Sequence, residues 1–247
     1  MGFGPAMLGL FGGGGNSIMA QAKDVAIIIP TAGKRIPLLK ALCRHLMDKS
    51  VGQIIVMENS RGDFRIYEAD LHGALIAFYP APFNWSKINN CGAKYAGDAP
   101  ILGFLNDDLE VIQDDWLDKI LEAFEDETIG GVSPVVELPD GSVPGPAVNI
   151  DRDIQNFVAT GEVKPGIFDV PAIAGPALFI RRSIFEDIGG FDEGYHITHS
   201  DGVMGLRIAE RSRCVVHGDS RIRHYERSSR GLDDPQDWET FKRKELR

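Results

Sequence analysis

Asp24-Val-Ala-Ile-Ile-Ile-Pro30 is an apolar, mostly β-branched run closed by proline, and no other stretch constrains the fold of this chain as tightly. A run without polar alternation offers no face to water, so it reads as a strand buried on both sides, within a parallel sheet. Residues 37–49 then place Leu38, Leu39, Leu42, Leu46 and Met47 at helical spacing. Residues 53–57 and 74–79 read as two further strands and 101–105 as a fourth, with a helix over 85–97 that sets Ile88, Cys91 and Tyr95 on one side. Alternating strands and helices predict an α/β domain with a parallel sheet wound by helices. In such sheets ligands bind beyond the carboxyl ends of the strands. Thr31, Glu58 and Asn106-Asp107-Asp108 all fall there.

The second half reads differently. A helix is expected over 114–124, capped by Asp114, and a strand over 131–138. The Pro/Gly-rich stretch 139–171 is long enough to read as a functional loop rather than a linker. A strand over 177–180, a helix over 183–188 and the turn Gly189-Gly190-Phe191-Asp192 come next, then a helix over 199–211 and a short strand over 214–217. The charged segment after Gly231 reads as a surface helix or a frayed end.

Composition narrows the function classes. With 36 acidic against 26 basic residues, the formal charge is -10. That excludes a generic nucleic-acid surface, which needs clustered Lys and Arg, yet permits a nucleoside diphosphate bound through a divalent cation. Cys43, Cys91 and Cys214 are odd in number and widely spaced, which fits no disulfide framework or zinc pattern. They point to a reducing, cytoplasmic setting. The first 22 residues are apolar but broken by glycines and carry no basic leader or uninterrupted apolar span. They read as a flexible arm, or as an arm packed on a partner, and are the one hint of a homo-oligomer. The expected organisation is an arm over 1–22, one domain over 23–231 and a charged tail over 232–247. No transmembrane segment is read in it.

The strongest local signal is Gly103-Phe-Leu-Asn-Asp-Asp-Leu-Glu110. Adjacent carboxylates at the end of a buried strand repel one another. A divalent cation offsets that repulsion, and oxygen ligands select Mg²⁺ or Mn²⁺. Taken alone, the pair reads equally well as a solvated turn capping the next helix.

Several further segments, in order, resemble the family 2 inverting glycosyltransferases of the GT-A fold, closest in tone to rhamnosyltransferase-like members. They are Ile28-Ile-Pro-Thr31, Ile54-Ile-Val-Met-Glu-Asn-Ser60, Phe83-Asn-Trp-Ser-Lys-Ile-Asn-Asn-Cys-Gly92 and Phe104-Leu-Asn-Asp-Asp108. Ala174-Gly-Pro-Ala-Leu-Phe-Ile-Arg-Arg182, Gly189-Gly-Phe-Asp-Glu193, Asp201 ahead of Leu206-Arg207, and His224-Tyr-Glu-Arg-Ser-Ser-Arg-Gly231 complete the series. The resemblance spans about residues 24–231 and implies a single Rossmann-like GT-A domain with a mixed central sheet. It implies that Pro30, Thr31, Glu58, Asn59, Asn90, Asn106 and Asp107 hold the nucleotide sugar. Asp108 and His224 would hold Mn²⁺ or Mg²⁺, Asp201 would be the general base, and Gly175, Pro176 and Asp192 would line the acceptor side. The acceptor would be a glycan, a lipid-linked sugar or a protein.

Two departures stand out. Glu58-Asn59 replaces the usual Asp-Asn or Asp-Asp, and Ser200-Asp201-Gly202-Val203 keeps one carboxylate where the family commonly has several. A sugar-phosphate nucleotidyltransferase is the rival enzyme, echoed by Thr31-Ala-Gly-Lys-Arg-Ile-Pro-Leu38, but that stretch has one glycine where a glycine-rich loop is needed. An inactive nucleotide- or glycan-binding protein of the same fold is the rival outside enzymes. Of the remaining histidines, His45 and His72 read as solvated surface residues, His196 and His199 as loop residues flanking the Asp201 segment, and His217 as a strand-end residue, with Trp85 and Trp116 as packing residues.

Overall fold

A computed structural model describes residues 20–60, 66, 69–153, 156–225 and 234–246. The apolar run forms strand β1 (Val25–Thr31), buried along its whole length. Its odd residues Val25, Ile27 and Ile29 enter one core, and Ala26 and Ile28 enter another on the opposite face. That split follows from the two-residue period of a strand, and it explains why the sequence shows no alternation. Strands β2 (Gln53–Glu58) and β4 (Ile101–Leu105) divide in the same way, with Ile54 and Val56 opposite Ile55 and Met57, and Ile101 and Leu105 opposite Leu102 and Phe104. Each fully buried isoleucine contributes roughly 1.5–3 kcal/mol.

Helix α1 (Ile36–Asp48) covers the first face with Leu39, Leu42, Cys43 and Leu46, joined by α3 (Trp116–Ala123) through Trp116, Leu117 and Ile120. The second face is covered by α2 (Trp85–Ala93), α4 (Arg182–Ile188) and α5 (Ser200–Ala209), through Ile88, Phe185, Met204 and Ile208. Three layers result. With β3 (Leu75–Phe78), β5 (Leu109–Glu110), β6 (Ile129–Glu137), β10 (Ala177–Arg181) and β11 (Arg213–His224), the sheet order is β3-β2-β1-β4-β10-β6-β11-β5. Pairing is parallel from β3 to β4, antiparallel on both sides of β10, and parallel again between β6 and β11. The sheet is therefore mixed.

The structure corrects several local expectations. The stretch 139–171 is not a structureless loop. It carries a separate hairpin, β7 (Ala147–Asp151) with β8 (Asn156–Thr160), and β9 (Ile167–Asp169), which pairs with β11. The hairpin is largely half-exposed, so its apolar residues lack the density of the central strands. The short strand over 214–217 runs on to His224, because Gly218, Asp219 and Ser220 form a bulge inside β11 rather than a turn that ends it. Asp114 does not cap α3. Asp115 occupies that position without a side-chain cap, and Asp114 pairs with Lys49 at 3.0 Å. Within the charged segment after Gly231, Pro235–Glu245 takes the helical alternative as α6, and it buries Asp237, Thr240 and Phe241 rather than lying wholly on the surface. Phe241 joins Tyr195 and Val203 in a small core of its own, against Phe157 of the hairpin. His45 is not solvated, since it lies within 3.2 Å of the indole N–H of Trp116. His217 is buried inside β11 rather than at a strand end. Residues 1–19 of the expected arm lie outside the described residues. The three cysteines are free thiols, and burial pushes those of Cys43 and Cys214 up to about 12.

Candidate active site

Three strand ends meet where the sequence places its polar clusters. Thr31 ends β1 in register with Glu58 at the end of β2, and Pro30 precedes it, beyond the last β1–β4 pair, Ile28 with Phe104. The Thr31 hydroxyl donates to Asp107 Oδ2 at 2.5 Å and accepts the Gly33 N–H at 3.0 Å. Asp107 is thus oriented by a hydroxyl from the neighbouring strand, and both groups are buried. The Glu58 carboxylate takes the N–H of Ser60. Asn59 spends both side-chain donors on main-chain carbonyls, Tyr79 at 2.7 Å and Ala81 at 2.9 Å. These two residues shape the loop after β2.

Beyond β4, Asn106 and Asp108 face His224, although 118 residues separate Asn106 from it. Their meeting comes from β11, whose last residues pair with β5: His224 opposite Leu109 and Arg223 opposite Glu110. His224 Nε2 lies 3.1 Å from Asp108 Oδ1 and 3.4 Å from the Asn106 side-chain nitrogen. The Trp85 indole N–H completes the Asn106 environment, donating to its Oδ1 at 3.3 Å. Asp107 and Asp108 are only 6% and 5% exposed, so their like charges gain little from water. His224 Nδ1 is buried and has no hydrogen-bond partner among the described residues.

Whether this cluster suits a divalent cation is a matter of donor chemistry. Two ligand atoms each about 2.1 Å from an octahedral ion stand about 3.0 Å apart at right angles, close to the 3.1 Å between Asp108 and His224. An ion of the Mg²⁺ type is commonly held by one or two carboxylates and completed by substrate phosphates. Asp108 supplies such a carboxylate, and His224 adds an imidazole nitrogen beside it. Among the described residues, the group of three ligating side chains within reach of one another is elsewhere, at His196, Asp234 and Asp237. We discount it as a cation site, because both Asp237 oxygens already accept main-chain N–H groups.

Asp201 sits in the first turn of α5, and its Oδ2 accepts the Gly175 N–H at 2.7 Å. Gly175 holds φ at +108°, a conformation that favours glycine. The next residue, Pro176, accepts the Asn106 N–H at 2.8 Å. Two successive residues therefore link the Asp201 carboxylate to the Asn106-Asp107-Asp108 turn. Beside Asp201 opens a cleft of about 170 Å³, walled by Val148, Asn156 and Phe157 of the hairpin and by Ala174, Thr198, His199 and Gly202.

Not every expected residue joins this assembly. The Asn90 side chain is taken up by Phe191, whose N–H it accepts at 2.8 Å and whose carbonyl it reaches at 2.9 Å. Those bonds fasten α2 to the Gly189-Gly190 turn. Asp192 pairs with Lys244 of α6 and accepts the Gly194 N–H at 2.9 Å. Burial by itself would raise its carboxyl pKa, but those two partners outweigh it and hold the group below the ordinary value. His199 was legible only as a loop residue beside Asp201. It stands at φ +66°, which costs a non-glycine residue on the order of 1–3 kcal/mol, and its ring bonds Asn156 across the cleft at 2.9 Å. No periodicity or motif marks it.

No family model matches the chain. Among curated proteins, the O-antigen biosynthesis protein RfbC of Myxococcus xanthus is 30% identical over 232 residues, covering 85% of this chain and 18% of that protein. The uncharacterized protein y4gI of Sinorhizobium fredii is 27% identical, covering 85% and 25%. The chain thus spans a quarter or less of the length of these relatives. Solved structures superpose over most of the chain. GalNAc-T7 with UDP, GalNAc and Mn²⁺ matches with a TM-score of 0.71 at 14% identity, over 92% of this chain and 48% of that one. The mannosyltransferase PcManGT of Pyrobaculum calidifontis, in complex with GDP-Man and Mn²⁺, gives 0.59 at 18% identity, over 81% and 56%. The catalytic domain of Drosophila beta1,4-galactosyltransferase 7 gives 0.54 at 15% identity, over 88% and 79%.

Proposed function

We propose that this chain, a mixed-sheet domain with the GT-A fold of glycosyltransferases, moves a sugar from a nucleoside-diphosphate sugar to an acceptor hydroxyl by direct, inverting displacement. One observation carries the reading. Asp108 and His224 converge to 3.1 Å at the end of the sheet, beside an Asp107 carboxylate set by Thr31. Carboxylate and imidazole at that spacing suit Mn²⁺ or Mg²⁺, and a cation bound there supplies positive charge to a departing diphosphate.

The chain's own groups divide the remaining work. Thr31, Glu58 and Asn59 form the rim where a nucleoside would lie, and Asp107 would accept hydrogen bonds from its ribose. Asp201 would take the proton of the attacking hydroxyl, general-base assistance worth roughly 10²–10⁴-fold. Gly175 keeps its carboxylate oriented through the 2.7 Å bond. Direct attack opposite the leaving group inverts the anomeric centre and needs no covalent enzyme nucleophile. The cleft beside Asp201 is where the acceptor would enter, and its mixture of Phe157, Val148, Asn156 and His199 suits a sugar ring. The name of the Myxococcus relative favours a growing glycan, free or lipid-linked, over a protein acceptor. Among the described residues no helix is long and apolar enough to cross a membrane.

Thermal shifts against UDP, GDP, dTDP, CDP and ADP, each with and without Mn²⁺, test the reading. A ligand at 100 times its Kd adds about 2.7 kcal/mol, which for a chain of this size is on the order of 5–10 °C. Stabilisation by one diphosphate only with Mn²⁺ is the expected result and names the nucleobase. No shift with any of the five would sink the donor-site reading.

A further inference from the structure

Asp237 of α6 has no solvent exposure. A buried carboxylate needs compensation, and here the main chain provides it. The Asp237 carboxylate accepts the N–H of His196 at 2.6 Å on one oxygen and those of Ile197 and Thr198, both at 2.8 Å, on the other. Three successive N–H groups turned toward one anion fix the course of that segment. Its opposite side is held as well, because the His196 carbonyl accepts the Trp85 N–H at 2.6 Å.

The captured amides lead directly into the acceptor side of the site. His199 adopts φ +66° immediately after them, and Ser200 then opens α5, which carries Asp201. The His199 carbonyl accepts the Val203 N–H at 2.8 Å, and its ring stands 2.9 Å from both Thr198 Oγ1 and Asn156 Oδ1. Phe241, one turn beyond Asp237 on α6, packs 4.8 Å from the His199 ring. A left-handed residue outside glycine persists only where its surroundings over-determine it, and α6 provides much of that constraint.

We propose that Asp237 is a positioning residue for the transfer step. By capturing the 196–198 amides it sets His199 and the first turn of α5, and so holds Asp201 against the Gly175 N–H beside the acceptor cleft. The C-terminal helix is thereby a working part of the acceptor side. This role rests on the reading of Asp201 as the base, but the placement of Asp201 can be observed without any substrate.

Amide hydrogen exchange on Asp237→Asn makes that observation. The Ile197 and Thr198 amides should exchange at least tenfold faster. The Gly175 amide, which bonds Asp201 and not Asp237, should lose protection with them, while the amides of β1, β2 and β4 keep theirs. Fast exchange at Ile197 and Thr198 with Gly175 protected as in the wild type would overturn the proposal and leave Asp237 a local fastening. Where Asp237→Asn does not fold, Asp237→Glu keeps the charge, displaces the carboxylate by one methylene and allows the same comparison at Gly175. Exchange at Gly175 reads out whether or not UDP or any other diphosphate binds, so failure of the transferase reading and failure of this one are separate results. With a donor and nitrophenyl glycosides as acceptors, kcat should fall about tenfold at unchanged donor KM. A raised donor KM at unchanged kcat counts against the proposal.

Discussion

The two halves of the sheet reach the site by different routes. β1, β2 and β4 pair within the first 105 residues, and each ends at a polar group that comes directly after its own apolar run. On the other side, His224 arrives on a strand that pairs with β5, β6 and β9, and Asp201 is oriented by a glycine 26 residues earlier. The first half is built from βα units whose geometry is nearly self-determined. The second depends on a few distant fastenings, namely a bulge in β11, the 175–176 turn and the grip of α6. Substitutions should therefore act through chemistry alone on the first side, and through chemistry and placement together on the second.

The largest expected effect tests the point where the halves touch. Asp108→Ala should lower metal-dependent transfer by about 10⁴-fold, since it removes charge stabilisation at the leaving group. It should also abolish any Mn²⁺-dependent shift with nucleoside diphosphates while the circular dichroism spectrum stays native. Undiminished transfer by the folded variant would detach the Asp pair from catalysis. Asp201→Asn ranks next. It should slow transfer by about 10²–10³-fold and leave the midpoint shift with diphosphate and Mn²⁺ unchanged. Loss of that shift would assign Asp201 to the nucleotide side and erase the division between the halves.

Two glycines set the halves against one another in stability. A Cβ at Gly92 of α2 would meet side-chain atoms, Ile28 Cγ2 at 2.4 Å and Met57 Cγ at 3.0 Å. At Gly205 of α5 it would meet the Ile173 main-chain oxygen at 1.8 Å. Side chains can yield and the main chain there cannot. After the gain in helix propensity, about 1 kcal/mol, Gly92→Ala should cost about 1 kcal/mol and Gly205→Ala about 3 kcal/mol. Urea unfolding measures both, and equal costs would mean that the second half is no less adaptable than the first.

The same asymmetry decides what the sequence discloses. The strand 25–31, the turn at 106–108 and the helix over 36–48 are legible because a two-sided strand and a one-sided helix leave opposite signatures in the order of apolar residues. The hairpin at 147–160 leaves a faint one, being half-exposed and polar at alternate positions. Gly218-Asp219-Ser220 has the chemistry of a turn yet lies inside a strand, because β6 continues to pair beyond it. Among site residues, Asp107, Asp108 and His224 carry motifs, whereas Asp237 and His199 take their roles from contacts with segments dozens of residues away. Asn90 shows the converse. It lies within a motif-bearing segment, but its carboxamide is committed to Phe191.

The smallest effect concerns how α6 is held. Lys244 and Gly194 keep the Asp192 carboxyl below its ordinary value against the opposing influence of burial. A depressed folded pKa gives stability that is complete above the unfolded value, about 4, and is lost as pH falls through the folded value below it. The two side chains are 33% and 37% exposed, so screening reduces the pair to about 0.5 kcal/mol. Lys244→Met should then lower Tm by about 1–2 °C at pH 7, with that difference shrinking as pH falls below the unfolded value. Phe241→Ala, which empties a fully buried site, should cost about 3–4 kcal/mol at pH 7 and below. If Lys244→Met proved as damaging as Phe241→Ala, charge at the rim rather than the Phe241 core would be what seats the helix. The acceptor side would then loosen in salt, where a helix seated by its buried face stays in place.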